Sequence, residues 1–432
     1  MTAESPRPPR RILVVGSSVA GVRTAQGLRA EGYTGELTLV GAEPHLPYDK
    51  PPLSKEFLAQ TRTAEDILLL HDDAAADPGF TLQLGQAAVA LDPALRRVRL
   101  ADGSLLDYDA LVLATGVRPR TLTPPVGKPE EAPCFTIRQL SESAELAERL
   151  AKKEPVVVIG GGFIGAEAAA TAAGLGCPTT LVESSPAPFS RNLGPEAGAL
   201  LAGLHAEHGV QVLAGARVTR VERLTDGWAM VRLDDGRRLE AATVIVGIGC
   251  VPNTEWLESS GLALDDGVVT DEHCAVPGAE GIWAVGDVAR WYDADSGRHR
   301  RVEHWTSATE QAALVARALA TGERRAFAPV PYLWSDQHGV KLQMVGRRSA
   351  GDRAEAFTAA TPAGDRQIVL FSRDNRLTAA VTFGWPRGCM TVRQALAKGD
   401  GFADIRARLA GLATALTPLD LSPSTYPEGN RT

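Results

Sequence analysis

Four apolar residues, Val156-Val157-Val158-Ile159, run without a polar interruption and end in glycine. A short β-branched run of this kind predicts a strand buried on both faces. An alanine-rich, helix-forming stretch follows, and then a second predicted strand, Thr179-Thr180-Leu181-Val182. The pattern has an earlier copy. Arg11 to Val15 is a strand, Gly16 to Gly21 a turn and helix start, and Leu37-Thr38-Leu39-Val40 the next strand, with Gly16 and Gly160 set 144 residues apart. Each copy is followed by another apolar strand that ends in glycine, Tyr108 to Gly116 in the first and Thr243 to Gly249 in the second. Val218 to Leu239 predicts a hairpin turning at Asp234-Asp235-Gly236. Gly281 to Val285 predicts a strand that returns the chain to the first copy, and helical periodicity runs from Ser307 to Ala320. From about Phe327 the pattern becomes strand-rich, through Ile368–Phe371 and Leu377–Phe383, with a helix near Val392–Lys398. Residues 413–432 predict a disordered tail.

The turns carry the chemistry. Gly160, Gly162 and Gly165 have the G-x-G-x-x-G spacing between strand and helix. Gly160 makes the tight turn, Gly162 admits a pyrophosphate to the backbone, and Gly165 lets helix pack on strand, with the helix N-terminus facing the phosphates. Glu183 ends the next strand 23 residues after Gly160. A carboxylate there accepts a ribose 2′-hydroxyl and repels a 2′-phosphate, which favours NADH over NADPH. In the first copy Gly16 and Gly21 keep their places, Ser18 replaces the middle glycine, and Glu43 is the candidate ribose carboxylate. Two such units imply two dinucleotides, and FAD with NADH is the economical pair. Pro44 to Leu58, PHLPYDKPPLSKEFL, is a proline-stiffened loop. It either holds Lys50 or Lys55 against a flavin or is a surface loop with solvated lysines. Asp287 is either a helix cap or a hydroxyl-binding acid.

At 432 residues the chain is long enough for two or three domains. The net charge of −7 argues against nucleic acid as the main partner. No apolar run approaches the roughly 18–20 residues of a membrane helix, and the polar start MTAESPRPPRR reads as no secretion signal. Five scattered cysteines suit a reducing cytoplasm, with neither zinc spacing nor a disulfide framework. The first of them is Cys134, so the early part of the first unit lacks the cysteine pair of a disulfide reductase or the single cysteine of a peroxidase or oxidase. Residues 331–412 carry 12 Lys/Arg against 7 Asp/Glu, a balance of +5 that leaves −12 on the remainder. That module is either a docking face for an acidic partner or an ordinary solvated surface.

Seven segments spell out a resemblance. PYDKPPLSKEFL, the LATG strand, VVIGGGFIGAE, GIGCVPN, IWAVGDVA, RVEHW and YLWSDQHGVKLQMVG occur in one order along nearly the whole chain. In these the chain resembles the FAD-dependent, NADH-linked ferredoxin reductases that serve bacterial oxygenases, the group of putidaredoxin, rubredoxin and biphenyl-dioxygenase ferredoxin reductases. Ser18 departs from the pattern, as does Lys50, where the family often has arginine. The resemblance implies an α/β, glutathione-reductase-like fold: two Rossmann-type nucleotide-binding domains plus a C-terminal α+β domain. FAD would take 10–118 and 252–326, NADH 119–251, and a ferredoxin would dock on 327–412. It further implies that Lys55 and Glu167 form an ion pair beside the flavin, that Asp287 holds the ribityl chain, and that Trp305 and Trp334 lie near the flavin ring on the docking side. The motif positions carried over to FAD are Gly16, Ser18, Ala20, Gly21, Glu43, Lys50, Lys55, Ala114, Thr115, Gly116, Arg118, Gly286, Asp287, Val302, Glu303, His304 and Trp305. Those carried over to NADH are Gly160, Gly162, Phe163, Ile164, Gly165, Glu183 and Gly249. The implied partner is a small acidic iron–sulfur ferredoxin, and through it a cytochrome monooxygenase or ring-hydroxylating oxygenase. Two other readings stay open: an NADH-sensing flavoprotein like apoptosis-inducing factor, and an NADH oxidase with no protein partner.

Overall fold

In the computed structural model, residues 8–71, 78–123 and 132–421 are described. Part of the expected linker, 124–131, and the end of the expected tail, 422–432, lie outside them. The chain forms two compact units, one of Met1–Lys50, Thr63–Arg118 and Cys250–Pro329, the other of Pro51–Arg62, Pro119–Gly249 and Val330–Thr432.

In the first unit the Arg11–Val15 strand is buried at four of its five positions, as its apolar run requires. It lies at the centre of a parallel sheet in the order Ile282–Ala284, Ala110–Leu113, Arg11–Val15, Glu36–Val40, Thr81–Gln83. The helices Val19–Ala30 and Trp305–Thr321 cover one face, packing Val22, Ala25, Leu28, Val315 and Leu319 against Val14 and Val112. The other face buries Leu13, Val15 and Leu111 with the antiparallel strands Ala88–Asp92 and Arg97–Leu100 and with Leu257. The functional consequence is an edge. Gly16, Glu43, Thr115-Gly116 and Gly286-Asp287 all follow the carboxyl ends of parallel strands, the side on which α/β sheets bind ligands.

The second unit repeats this plan. Its parallel sheet runs Gln211–Ala214, Thr179–Glu183, Val156–Ile159, Thr243–Val246, Cys134–Phe135. An antiparallel meander of Val218–Arg223, Ala229–Leu233 and Arg238–Ala241 covers one face through Val221, Val231 and Leu233. Residues 332–418 add a six-stranded antiparallel sheet. One face of it packs Leu333, Leu342, Val369 and Val381 on Ala166, Leu193, Ala197 and Leu201 of the nucleotide part, a single shared core. The other face carries the helices Pro386–Lys398 and Phe402–Ala410.

One expectation is corrected. The chain does not become disordered at 413: Ala415–Pro418 pairs antiparallel with Arg353–Thr361 as an edge strand. That edge would otherwise expose its backbone donors and acceptors, and Leu416, Leu419 and Leu421 add apolar contact to the cores beneath.

Candidate functional site

Both glycine turns are shaped for close backbone approach. Gly16 has φ +120°, and a Cβ on it would lie 2.1 Å from the Ala114 carbonyl oxygen. Gly160 has φ +102°, and a Cβ would meet the Gly247 oxygen at 2.3 Å. Gly21 and Gly165 touch their own turns, since a methyl there would sit 1.8 Å from Gly16 O and 1.9 Å from Gly160 O. A Cβ on Gly162 meets nothing within 4 Å, so the helix N-terminus at Phe163 is left open to a ligand. The residues therefore fit a pyrophosphate at each turn, with the helix amides and dipole as its partners.

At or just past the end of the next strand, each glycine turn is followed by a glutamate. Glu183 is held between the glycine turn and its own loop, its Oε2 accepting from Gly161 N at 2.7 Å and its Oε1 from Ser185 N at 2.6 Å. Glu43 accepts from the Tyr48 hydroxyl and, at 2.6 Å, from Lys50 Nζ, which also lies 4.3 Å from the centre of the Tyr48 ring. Lys50, a candidate flavin cation, is thus spent largely on Glu43. Tyr48 was not among the candidates, although its place two residues before Lys50 in a proline-stiffened loop was a usable signal.

Around the first cradle, Gly286 has φ +72° and a Cβ on it would lie 2.8 Å from Ala20 Cβ, so the Asp287 turn adjoins the glycine turn. The Gly286 amide donates to the buried Gln311 Oε1 at 2.7 Å. Thr115, Gly116 and Arg118 meet Asn253: Thr115 Oγ1 donates to Asn253 O at 2.9 Å, the Asn253 amide donates to Gly116 O at 3.0 Å, and Arg118 reaches Asn253 Oδ1 at 3.3 Å. Val302 packs against the core, and Glu303 pairs with Arg301 at 2.7 Å. His304 stands at the N-cap position of the helix that starts at Trp305, and burial pushes its pKa down to about 4. Trp305 donates its indole N–H to Asp49 Oδ1 at 2.9 Å.

In the second unit Phe163 meets Phe189 edge to face at 4.6 Å, Ile164 is exposed at the turn, and Gly249 O accepts from Arg120 N at 2.8 Å. Lys55 and Glu167, 112 residues apart, are joined at 2.9 Å with both side chains nearly buried. The Pro51–Ser54 turn that carries Lys55 is tied to this unit by Ser143 Oγ to Leu53 O at 2.7 Å and Thr171 Oγ1 to Ser54 O at 2.8 Å. Glu167 accepts two further hydrogen bonds, from Ser54 Oγ at 2.5 Å and Ser335 Oγ at 2.6 Å. Neither serine was a candidate. Trp334 stacks on Tyr332 at 6.1 Å; strand alternation points it to the sheet face opposite Ser335.

The five cysteines are free thiols, and burial raises the pKa of Cys134 and Cys389 to about 11 and of Cys250 to about 12. Thiols so far from ionisation are poor nucleophiles. Among the described residues, no helix is long and apolar enough to cross a membrane.

Comparison with known proteins identifies the family. Residues 10–312 match the pyridine nucleotide-disulphide oxidoreductase family, and residues 332–419 match the reductase C-terminal family. Putidaredoxin reductase CamA of Pseudomonas putida is 39% identical over 345 residues, 79% of this chain and 81% of that protein. Rhodocoxin reductase of Rhodococcus erythropolis is 35% identical over 386 residues, 89% of each. The crystal structure of the covalent putidaredoxin reductase–putidaredoxin complex superposes with a TM-score of 0.85 at 34% identity, covering 94% of this chain and 99% of that one. The chain belongs to the pyridine nucleotide-disulphide oxidoreductase family, in its group of FAD- and NADH-dependent ferredoxin reductases.

Proposed function

We propose that the protein takes hydride from NADH and passes single electrons to a small, acidic iron–sulfur ferredoxin that serves an oxygenase. One observation carries the reading: a single chain holds two tight glycine turns, each followed at or just past the end of its next strand by a glutamate, together with a nearly buried Lys55–Glu167 pair. The names of its relatives supply the partner class. One is a putidaredoxin reductase, and another, 37% identical over 377 residues, is the ferredoxin reductase component of a chlorobenzene dioxygenase of Cupriavidus sp. strain PS12. We assign FAD to residues 10–118 and 252–326, NADH to 119–251, and ferredoxin docking to 327–412. A chain that consumes NADH and carries reduced thiols suits the cytoplasm.

Bound FAD supplies a ring that accepts hydride and releases electrons one at a time. The chain supplies position and charge. The Gly16 and Gly160 turns seat the two pyrophosphates, and Glu183 accepts the ribose hydroxyls of NADH. Lys55 presents a cation to the charge that builds during transfer, and Glu167 keeps that cation from being buried unpaired, an arrangement that would cost several kcal/mol. Asp287, beside the first cradle, is assigned to the ribityl hydroxyls. Trp305, fixed by Asp49, and Trp334 are assigned to the aromatic surroundings of the flavin. No residue needs to act as general acid or base.

Anaerobic mixing tests this. NADH should bleach a bound yellow chromophore, and added [2Fe-2S] ferredoxin should then be reduced as the colour returns. Protein isolated without flavin, or reduced protein that leaves ferredoxin oxidised, overturns the proposal. Cofactor preference is a separate test. NADH should exceed NADPH in kcat/KM by at least about tenfold, and Glu183→Ala should narrow the ratio by about that factor, the weight of one charged hydrogen-bonding site. Equal use of both cofactors by the unaltered protein contradicts the role of Glu183.

A further inference from the structure

The inner face of the Tyr332–Gln337 strand is unusual for a packed sheet. Alternation turns Leu333, Ser335 and Gln337 inward, and all three are buried, Ser335 at 0% and Gln337 at 2% exposure. A serine and a glutamine on such a face cost stability unless their polar atoms are used. Here they form a directed chain. Gln337 Nε2 donates to Ser335 Oγ at 2.9 Å, and Ser335 Oγ lies 2.6 Å from Glu167 Oε1. A hydroxyl has one hydrogen. With its oxygen accepting from Gln337, Ser335 has that hydrogen left for Glu167. On the far side of the same carboxylate, Ser54 Oγ and Lys55 Nζ share Oε2 at 2.5 and 2.9 Å.

We infer that Ser335, aimed by Gln337, is a positioning residue: it pins one oxygen of Glu167 so that the other holds Lys55 in a single place. The strand of the C-terminal sheet thereby contributes to hydride transfer without touching either cofactor. Without Ser335 the carboxylate keeps donors on Oε2 alone and can swing about its Cγ–Cδ bond, and Lys55 swings with it. Loss of one hydrogen bond to this charged carboxylate is expected to slow the rate about tenfold. The inference rests on the assignment of Lys55 and Glu167 to the flavin made above.

The experiment uses the purified holoprotein and reads the stopped-flow rate of flavin reduction by NADH and the flavin midpoint potential, with the NADH dissociation constant as a control. Ser335→Ala should slow reduction about tenfold and shift the potential negative, with the NADH dissociation constant within twofold. Ser335→Thr, which keeps the hydroxyl, should restore both. Gln337→Met keeps the serine but removes its orienting donor, and should move both quantities in the same direction by less; it also serves should Ser335→Ala fold poorly. In a Glu167→Gln background, Ser335→Ala should add little, because both act through one carboxylate. Undiminished effects in that background, unchanged rate and potential in Ser335→Ala, or no rescue by threonine overturn the positioning role. Glu167→Gln that matches the unaltered protein removes the pair's assignment to the flavin, and with it this inference. Unaltered protein that NADH fails to reduce removes the proposed function itself.

Discussion

Ser18 and Gly162 occupy corresponding places, and their backbones nearly coincide: φ −90°, ψ −169° for Ser18 and φ −77°, ψ −173° for Gly162. This is extended backbone that any residue adopts, so the serine introduces no strain and the first cradle keeps its shape. Ser18→Gly should accordingly leave stability within about 1 kcal/mol in thermal melts. The outer glycines are different in kind. Gly165→Ala would set a methyl 1.9 Å from Gly160 O, so helix and turn must separate. A loss of about 1–3 kcal/mol and a more than tenfold weaker NADH titration are expected. Unchanged NADH affinity in this variant would show that the second cradle does not hold the dinucleotide.

Pairs of elements decide what single residues cannot. The turn of the Tyr332–Gln337 hairpin places His338, at φ +52°, against the Pro195–Glu207 helix. His338 Nε2 lies 3.0 Å from His205 Nδ1, and the exposed His208 stacks on His338 at 4.3 Å. Burial, then the neighbouring His338, pushes the pKa of His205 down to about 3, with the Gln337 amide opposing. Burial and His208 push His338 down to about 4. Both lie below the ordinary value of 6.5. Below that pH the unfolded chain binds the protons and the folded chain resists them, so the unfolded state gains. This contribution is complete above pH 6.5, and it is lost as pH falls from 6.5 toward 4 and then 3. At pH 5, His205 alone should account for about 2 kcal/mol of lost stability. Denaturant unfolding of His205→Leu at pH 7 and pH 5 should show a flatter pH dependence; an unchanged slope would sink the assignment.

Across the molecule, charge is unevenly shared, +5 on residues 331–412 and −12 on the remainder. An acidic ferredoxin docking as proposed would be attracted to the first and repelled by the second. Ferredoxin turnover should therefore weaken as salt rises, since exposed charges are screened within about 8–10 Å at physiological ionic strength. Turnover with ferricyanide should change much less. Salt-insensitive ferredoxin reduction would count against docking on this module.

The cradles were legible before folding was considered. Strand, glycine turn, helix and terminal acid are near neighbours in the chain, and their periodicity and spacing report local geometry directly. The repeated unit likewise announced the repeated parallel sheet. What convergence alone settled was the company each residue keeps. Glu167 meets Lys55 across 112 positions and Ser335 across 168, and Lys50 turns to Glu43 while Trp305 turns to Asp49 across 256. The edge strand at Ala415–Pro418 forms because a distant strand offers unpaired backbone groups. Such pairings follow from which buried polar atoms have no water to turn to once the sheets and helices have packed, and no local pattern carries that information.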